Sequence, residues 1–187
     1  QKESFFEQAC HVPFLVSWPA RLSAGVQRDD LVCLTDLFGI ATHAAGETEM
    51  REGVDVLGQL DGSTQGRPWL IGMYGRPGTP LFKAMVRDKE WKYIYISNGG
   101  REQLFHMQRD PIELHNRASE RKDVIEVMRE RLVEACRVPG ASDALDNDGS
   151  LRSFAFQERE RGRIYQFDRS RGVTGFPERP QDVLQKS

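Results

Sequence analysis

Residues 12–18 form a nearly continuous apolar stretch that stops at Pro19. A run without polar alternation suits a strand buried on both faces, as in a covered parallel sheet. Thr35 is then a plausible helix N-cap. Leu37, Ile40, Ala41 and Ala44 follow at the spacing of one apolar helix face. Asp36 suits the first-turn dipole, and Gly46 is a natural stop. Residues 47–68 are polar and glycine-rich, and read as a long surface connection. Four short apolar segments come next, at 69–74, 82–87, 91–96 and 103–107. Trp91, Tyr93 and Tyr95 fall on one side of the third. Asn98-Gly99-Gly100 supplies the positive φ of a hairpin turn. Short turns make these strands antiparallel. Asp110-Pro111 opens a further turn. Ser119 is positioned to cap a helix whose apolar stripe is Val124, Met128, Leu132 and Ala135. Pro139-Gly140 ends it. That helix is expected to cover one face of the sheet.

After residue 140 the pattern dissolves. Residues 143–149 form an acidic loop. Residues 151–187 mix arginine with scattered aromatics and lack periodicity, as in an extended tail wrapped over a larger body or a partly disordered one. Asp143, Asp146, Asp148 and Gly149 do not have the spacing of an EF-hand loop.

Composition narrows the classes. The 187 residues are 39% hydrophobic and 29% charged, with net charge −2 from 26 basic and 28 acidic groups. That balance gives no pull toward nucleic acid or an anionic membrane. No apolar run is long enough to cross a bilayer. Cys10, Cys33 and Cys136 are too few and too far apart for a disulfide framework or a zinc site. Apolar neighbours make them small buried hydrophobes.

Three ordered stretches carry a family resemblance. The first runs from Lys2 through Glu3, Ser4, Phe5, Phe6 and Glu7 to His11, Val12, Pro13 and the strand ending Trp18-Pro19. The second is Leu34-Thr35-Asp36-Leu37-Phe38, leading to Ala44-Ala45-Gly46. The third comprises Met85-Val86-Arg87, Trp91-Lys92-Tyr93-Ile94, Glu102-Gln103-Leu104-Phe105, and Arg109-Asp110-Pro111 with Glu113 and Asn116. Together, over residues 2–118, they resemble the C-terminal half of the sulfatase family.

The resemblance implies an α/β chain of alkaline-phosphatase-like fold. Residues 1–65 would end the catalytic domain, 66–140 would form a C-terminal subdomain of antiparallel sheet plus helix, and 141–187 an extended tail. It implies a formylglycine nucleophile, made from the Cys or Ser of a C/S-x-P-x-R motif, and a calcium ion. Both are expected upstream of Gln1, so the chain alone is expected to lack its nucleophile. Cys136-Arg137-Val138-Pro139-Gly140 and Cys10-His11-Val12-Pro13 do not meet the motif.

Lys2 is the catalytic position the resemblance carries over. In the family this lysine reaches a sulfate oxygen, and an ammonium with three donors suits an oxyanion. His11 and Arg76 are candidate substrate-binding residues. His11 precedes the Val-Pro strand, and Arg76 sits in a Gly- and Pro-rich loop of the kind that shapes pockets. His43, His106 and His115 read as surface or structural. The partners expected are a sulfate ester, the catalytic domain and a second copy of the chain, with no nucleic acid and no membrane.

Two other functions fit some of these features. The scaffold is shared with phosphonate and phosphate ester hydrolases. A non-catalytic interaction module is the second. Residues 151–187 hold eight basic and five acidic groups among five aromatics, a pattern that can stack single-stranded nucleic acid. The alternating run from Glu158 to Arg161 neutralises itself and argues against that use.

Overall fold

A computed structural model describes residues 4–47, 49 and 51–158. The chain divides into two units, Gln1–Ala155 and Phe156–Ser187, and every element named below lies in the first.

Its centre is a four-stranded antiparallel meander in the order β1-β2-β3-β4. The strands are β1 Trp69–Tyr74, β2 Lys83–Asp88, β3 Trp91–Ile96 and β4 Arg101–His106. The outer two match their expected segments least and most: β1 agrees residue for residue, whereas β4 begins two residues earlier than its apolar pattern. Arg101 pairs with Ile96 directly after the turn, so the ladder starts before the apolar residues do. The second strand is displaced by one, because Asp88 accepts the amides of Glu90 and Trp91 and so closes the turn from inside the strand.

Side-chain alternation gives the sheet two faces. Ala84, Val86, Trp91, Tyr93, Tyr95 and Leu104 share one core with Ile125, Met128, Leu132 and Cys136. Those last four lie on α4, Lys122–Cys136. The stripe is therefore centred one position from the expected Val124 and Ala135, and Val124 packs only at its margin. Arg121, not Ser119, holds the N-cap position, and no side chain caps the helix. Burying residues of this size stabilises by about 1.5–3 kcal/mol each.

The rim of this face is polar. Tyr93 Oη donates to Glu102 Oε1 at 2.6 Å, and Arg129 grips the same carboxylate with two bonds of 2.8 and 2.9 Å. Burial alone would raise the Glu102 carboxyl, but the bonds from Arg129 and Tyr93 outweigh it and hold it below its ordinary value. Burial, reinforced by Glu102, raises the Tyr93 phenol. Tyr95 Oη donates to the carbonyls of Leu151 and Arg152, and Phe154 bridges Asn98 in parallel. The first residues of the expected tail thus pack on the sheet; residues 159–187 lie outside the described residues.

The opposite face holds Met85, Ile94, Phe105 and Met107, packed by Phe5, Phe6, Cys10, Leu70 and Ile96. Its cover is residues 4–11, which include the four-residue helix α1, Glu7–Cys10. Gly72 makes room for it: a Cβ there would stand 2.8 Å from Phe5 Cε1.

Residues 12–18 are not a strand. They pair with no strand of the meander, and Leu15 is 92% exposed. An apolar run becomes a buried strand only beside other strands, and none among the described residues flanks it. Next comes α2, Asp36–Ala44, preceded by Thr35, whose side chain makes no cap bond. The expected apolar stripe is not a buried face: Leu37, Ala41 and Ala44 are exposed, while Asp36 and Gly39 are buried. The expected loop 47–68 contains a helix, α3, Val56–Asp61. Asp55 starts it by accepting the Gly58 amide, and Gly62, at φ 81°, stops it.

Candidate functional site

The chemistry-bearing groups collect where residues 4–11 meet the sheet. Alternation places Lys92 on this face of β3, although its neighbours Tyr93 and Trp91 serve the apolar core. Its side chain is 1% exposed. Lys92 Nζ donates to the Phe5 carbonyl at 2.9 Å and to the Glu7 carboxylate. It also lies 2.8 Å from Glu113 Oε1, a charge contact outside hydrogen-bond direction, since that oxygen accepts no hydrogen bond. Glu113 Oε2 accepts the Glu7 amide at 2.6 Å.

Glu113 reaches inward because the Asp110-Pro111 turn aims it. Asp110 accepts the amides of Leu114 and His115, and its carbonyl accepts the Glu113 amide. Those backbone bonds hold the Asp110 carboxyl below its ordinary value. Asn116 Oδ1 takes the amides of Leu104 and Ala118, which fixes the turn to β4. Glu113 itself sits at φ 60°, a left-handed conformation a side chain adopts at a cost of about 1–3 kcal/mol. Arg87 adds a second cation whose charge is felt by Glu7 and Glu113; burial lowers its guanidinium below the ordinary value.

Lys2 lies outside the described residues. His11 is 76% exposed at its side chain, and its Nδ1 is 2.9 Å from Glu7 Oε2, the carboxylate that also holds Lys92. Arg76 is exposed in the β1–β2 loop, where its carbonyl accepts Thr79 Oγ1. No hydrogen bond or ion pair joins Arg76 to His11 among the described residues. Lys92, Glu7 and Glu113 were legible only as matched letters of the resemblance; a lysine flanked by aromatics on an otherwise apolar strand was the signal for burial.

The cysteines depart from small buried hydrophobes in two of three cases. Cys136 is fully buried, and burial pushes its thiol up to about 11. Cys10 is half-buried and donates to the carbonyls of Phe5 and Phe6; burial raises its thiol despite Lys92 nearby. Cys33 contacts Arg67 at 2.7 Å, and Arg67 pairs with the buried Asp36. Asp36 also accepts the amides of Cys33 and Val54, so it organises the approach to α2. His43 is half-buried near Asp55, not on the surface.

The expectation of a chain without its own nucleophile meets one exception. Ser17-Trp18-Pro19-Ala20-Arg21 fits the letters of C/S-x-P-x-R. Ser17 is exposed, the Arg21 amide closes a turn on the Trp18 carbonyl at 2.9 Å, and the Arg21 guanidinium lies over the Trp18 ring. Among the described residues no group of three or more His, Cys, Asp or Glu side chains is arranged to hold a metal ion. The described residues do not fit a calcium site. Nor is any described helix long and apolar enough to cross a membrane.

Comparison with known proteins bears on the ordered stretches. No protein-family model matches the chain. It is 26% identical over 154 residues to arylsulfatase K of Bos taurus, covering 75% of this chain and 28% of the relative. It is 29% identical over 122 residues to choline-sulfatase of Rhizobium meliloti, covering 63% and 23%. The chain is similar to the C-terminal portion of sulfatases. It spans about a quarter of the length of these sulfatase relatives. Its fold agrees with that of yidJ from Bacteroides fragilis, assigned as a sulfatase, at TM-score 0.56 and 18% identity over 68% of this chain and 30% of that one. The four-stranded antiparallel sheet and its helices fit an α/β fold.

Proposed function

We propose that the chain supplies the C-terminal portion of a sulfuric-ester hydrolase of alkaline-phosphatase-like fold. Residues 1–65 complete its catalytic domain, 66–140 form its C-terminal subdomain, and 141–187 are its extended tail. The observation that carries this reading is the grip of β3 on residues 4–11. That segment begins two residues after Lys2, and Glu7 within it and Lys92 on β3 are both letters of the sulfatase resemblance. An apolar stretch left open at residues 12–18 also fits a strand whose partners belong to a larger domain.

In this reading Lys2 donates to a sulfate oxygen and stabilises charge as the ester bond breaks. His11 and Arg76 contact the substrate. Formylglycine and calcium belong to polypeptide outside these residues, and the chain is inactive without it. In this reading the Ser17 pentapeptide does not supply the nucleophile, because the sulfatase resemblance puts that motif ahead of the Lys2 segment.

The test is hydrolysis of a chromogenic aryl sulfate by the purified active protein, beside the matching aryl phosphate. Preference for the sulfate, with loss of about 100-fold in kcat on Lys2→Ala, supports the reading. Preference for the phosphate assigns the scaffold to phosphoesterases instead. Full activity in Lys2→Ala removes Lys2 from the site.

A further inference from the structure

We propose that the outer edge of β1, with the groove beside it on α4, binds an extended polypeptide segment that alternates basic and apolar side chains. The segment adds to the meander as a further strand.

The two edges of the sheet differ. β4 closes its outer edge with its own chain. The Leu104 amide donates to Asn116 Oδ1 at 2.9 Å, the Leu104 carbonyl accepts the Arg117 amide at 2.7 Å, and the His106 carbonyl accepts the Asp110 amide at 2.8 Å. At β1 no hydrogen bond reaches the outer edge among the described residues. An edge strand of this kind presents a row of unpaired N–H and C=O groups. Proteins that keep such an edge free of partners place charge, proline or a bulge on it. β1 has none of the three. Trp69, Leu70, Ile71, Gly72, Met73 and Tyr74 are uncharged, and they pair with β2 without a break in register. Met73 and Tyr74 are 38% and 37% exposed. The edge is as long as an ordinary strand, so it can template another.

The groove beside the edge selects the chemistry of the partner. Trp69 and Val133 line it with apolar surface, and Glu126, Glu130 and Glu134 line it from α4. These carboxylates recur at every fourth residue, along one stripe of the helix. The arginines of the groove are committed: Arg129 to Glu102, Arg131 to Asp88 and Arg137 to Glu134. The side chains of Glu126 and Glu130 have no hydrogen bond or ion pair among the described residues. Like charges at this spacing repel, and a cation laid between them relieves the repulsion.

Strand geometry joins the two features. Side chains of an added strand alternate between the faces of the sheet. Trp69 and Ile71 pack on the α4 side and Leu70 on the other. Basic side chains at every second position therefore come up beside Trp69 and meet Glu126 and Glu130. Apolar ones between them extend the face on which Leu70 packs. Main-chain bonds supply affinity and the alternating side chains supply selectivity. A second copy of β1 is a poorer occupant, because its uncharged strand brings no cation to the two glutamates.

The experiment uses the purified protein and three synthetic peptides of the length of β1. One alternates lysine with valine, one alternates glutamate with valine, and one is the lysine peptide with its main-chain amides methylated. Binding is measured by calorimetry and by amide exchange. The lysine peptide is expected to bind, and to slow exchange in β1 by about tenfold or more and in α4 by less. Its affinity is expected to fall as salt is added. Replacing Glu126→Gln and Glu130→Gln together is expected to weaken it by about fivefold, since both side chains are exposed. Equal binding of the glutamate peptide, or unchanged affinity in the double variant, overturns the basic partner. Equal binding of the methylated peptide overturns strand addition. No binding of the lysine peptide overturns the proposal outright. Self-association in sedimentation that Met73→Lys abolishes assigns the edge to a second copy and overturns it too.

Discussion

The two faces of the meander are covered by opposite means. The α4 face is an apolar core of aromatic and aliphatic side chains, with its charges at the rim. The other face is covered by eight residues whose hold depends on Lys92 between two carboxylates. The difference separates stability from placement. Apolar area holds the α4 face without specifying small shifts, whereas directed bonds to buried charge specify the position of residues 4–11 at a desolvation cost.

The largest expected effect falls on the apolar face. Leu132→Ala leaves a cavity against β2 and β3 and is expected to cost about 2–5 kcal/mol in denaturant unfolding. A loss as large from Glu7→Gln would erase the contrast between the faces. Tyr93→Phe removes the hydroxyl donated to Glu102, for about 1.5–3 kcal/mol in the same measurement.

Gly72→Ala tests the opposite cover. Its Cβ would stand 2.8 Å from Phe5 Cε1, so the segment should shift while the α4 core stays intact. Thiol labelling reads this directly: Cys10 is expected to react faster in the variant, and Cys136, buried with a thiol pushed up to about 11, to stay protected until global unfolding. Faster labelling of both would mean that the faces are not independent.

The smallest effect is a slope in pH. The folded Glu102 carboxyl lies below its ordinary value of 4.5. A depressed carboxyl contributes stability above its unfolded value and loses it as pH falls through the folded one. Stability should therefore decline as pH drops below about 4.5, and Glu102→Gln should flatten that decline. An unchanged slope would remove Arg129 and Tyr93 as its cause.

What was legible in the sequence follows the same division. The strands of 69–107, the hairpin at Asn98 and the covering helix were written in local periodicity, because each element packs against its sequence neighbours. The helix at 56–61 was hidden by two glycines, one of which is its stop. Residues 12–18 have a strand's composition and no strand to pair with, so their structure is not decided locally. The grip on residues 4–11 was hidden most fully. Glu7, Lys92 and Glu113 are 85 and 21 residues apart along the chain, and only the folded sheet brings them together. The Ser17 pentapeptide is the converse, a pattern of letters near which no group of metal-holding side chains stands among the described residues.

The most direct measurement is peptide-mapping mass spectrometry of the active preparation. The sulfatase account predicts a C/S-x-P-x-R peptide from outside these 187 residues, with its first residue oxidised to the aldehyde and Ser17 unmodified. An active preparation that contains only these residues, or that carries the aldehyde at Ser17, would contradict it.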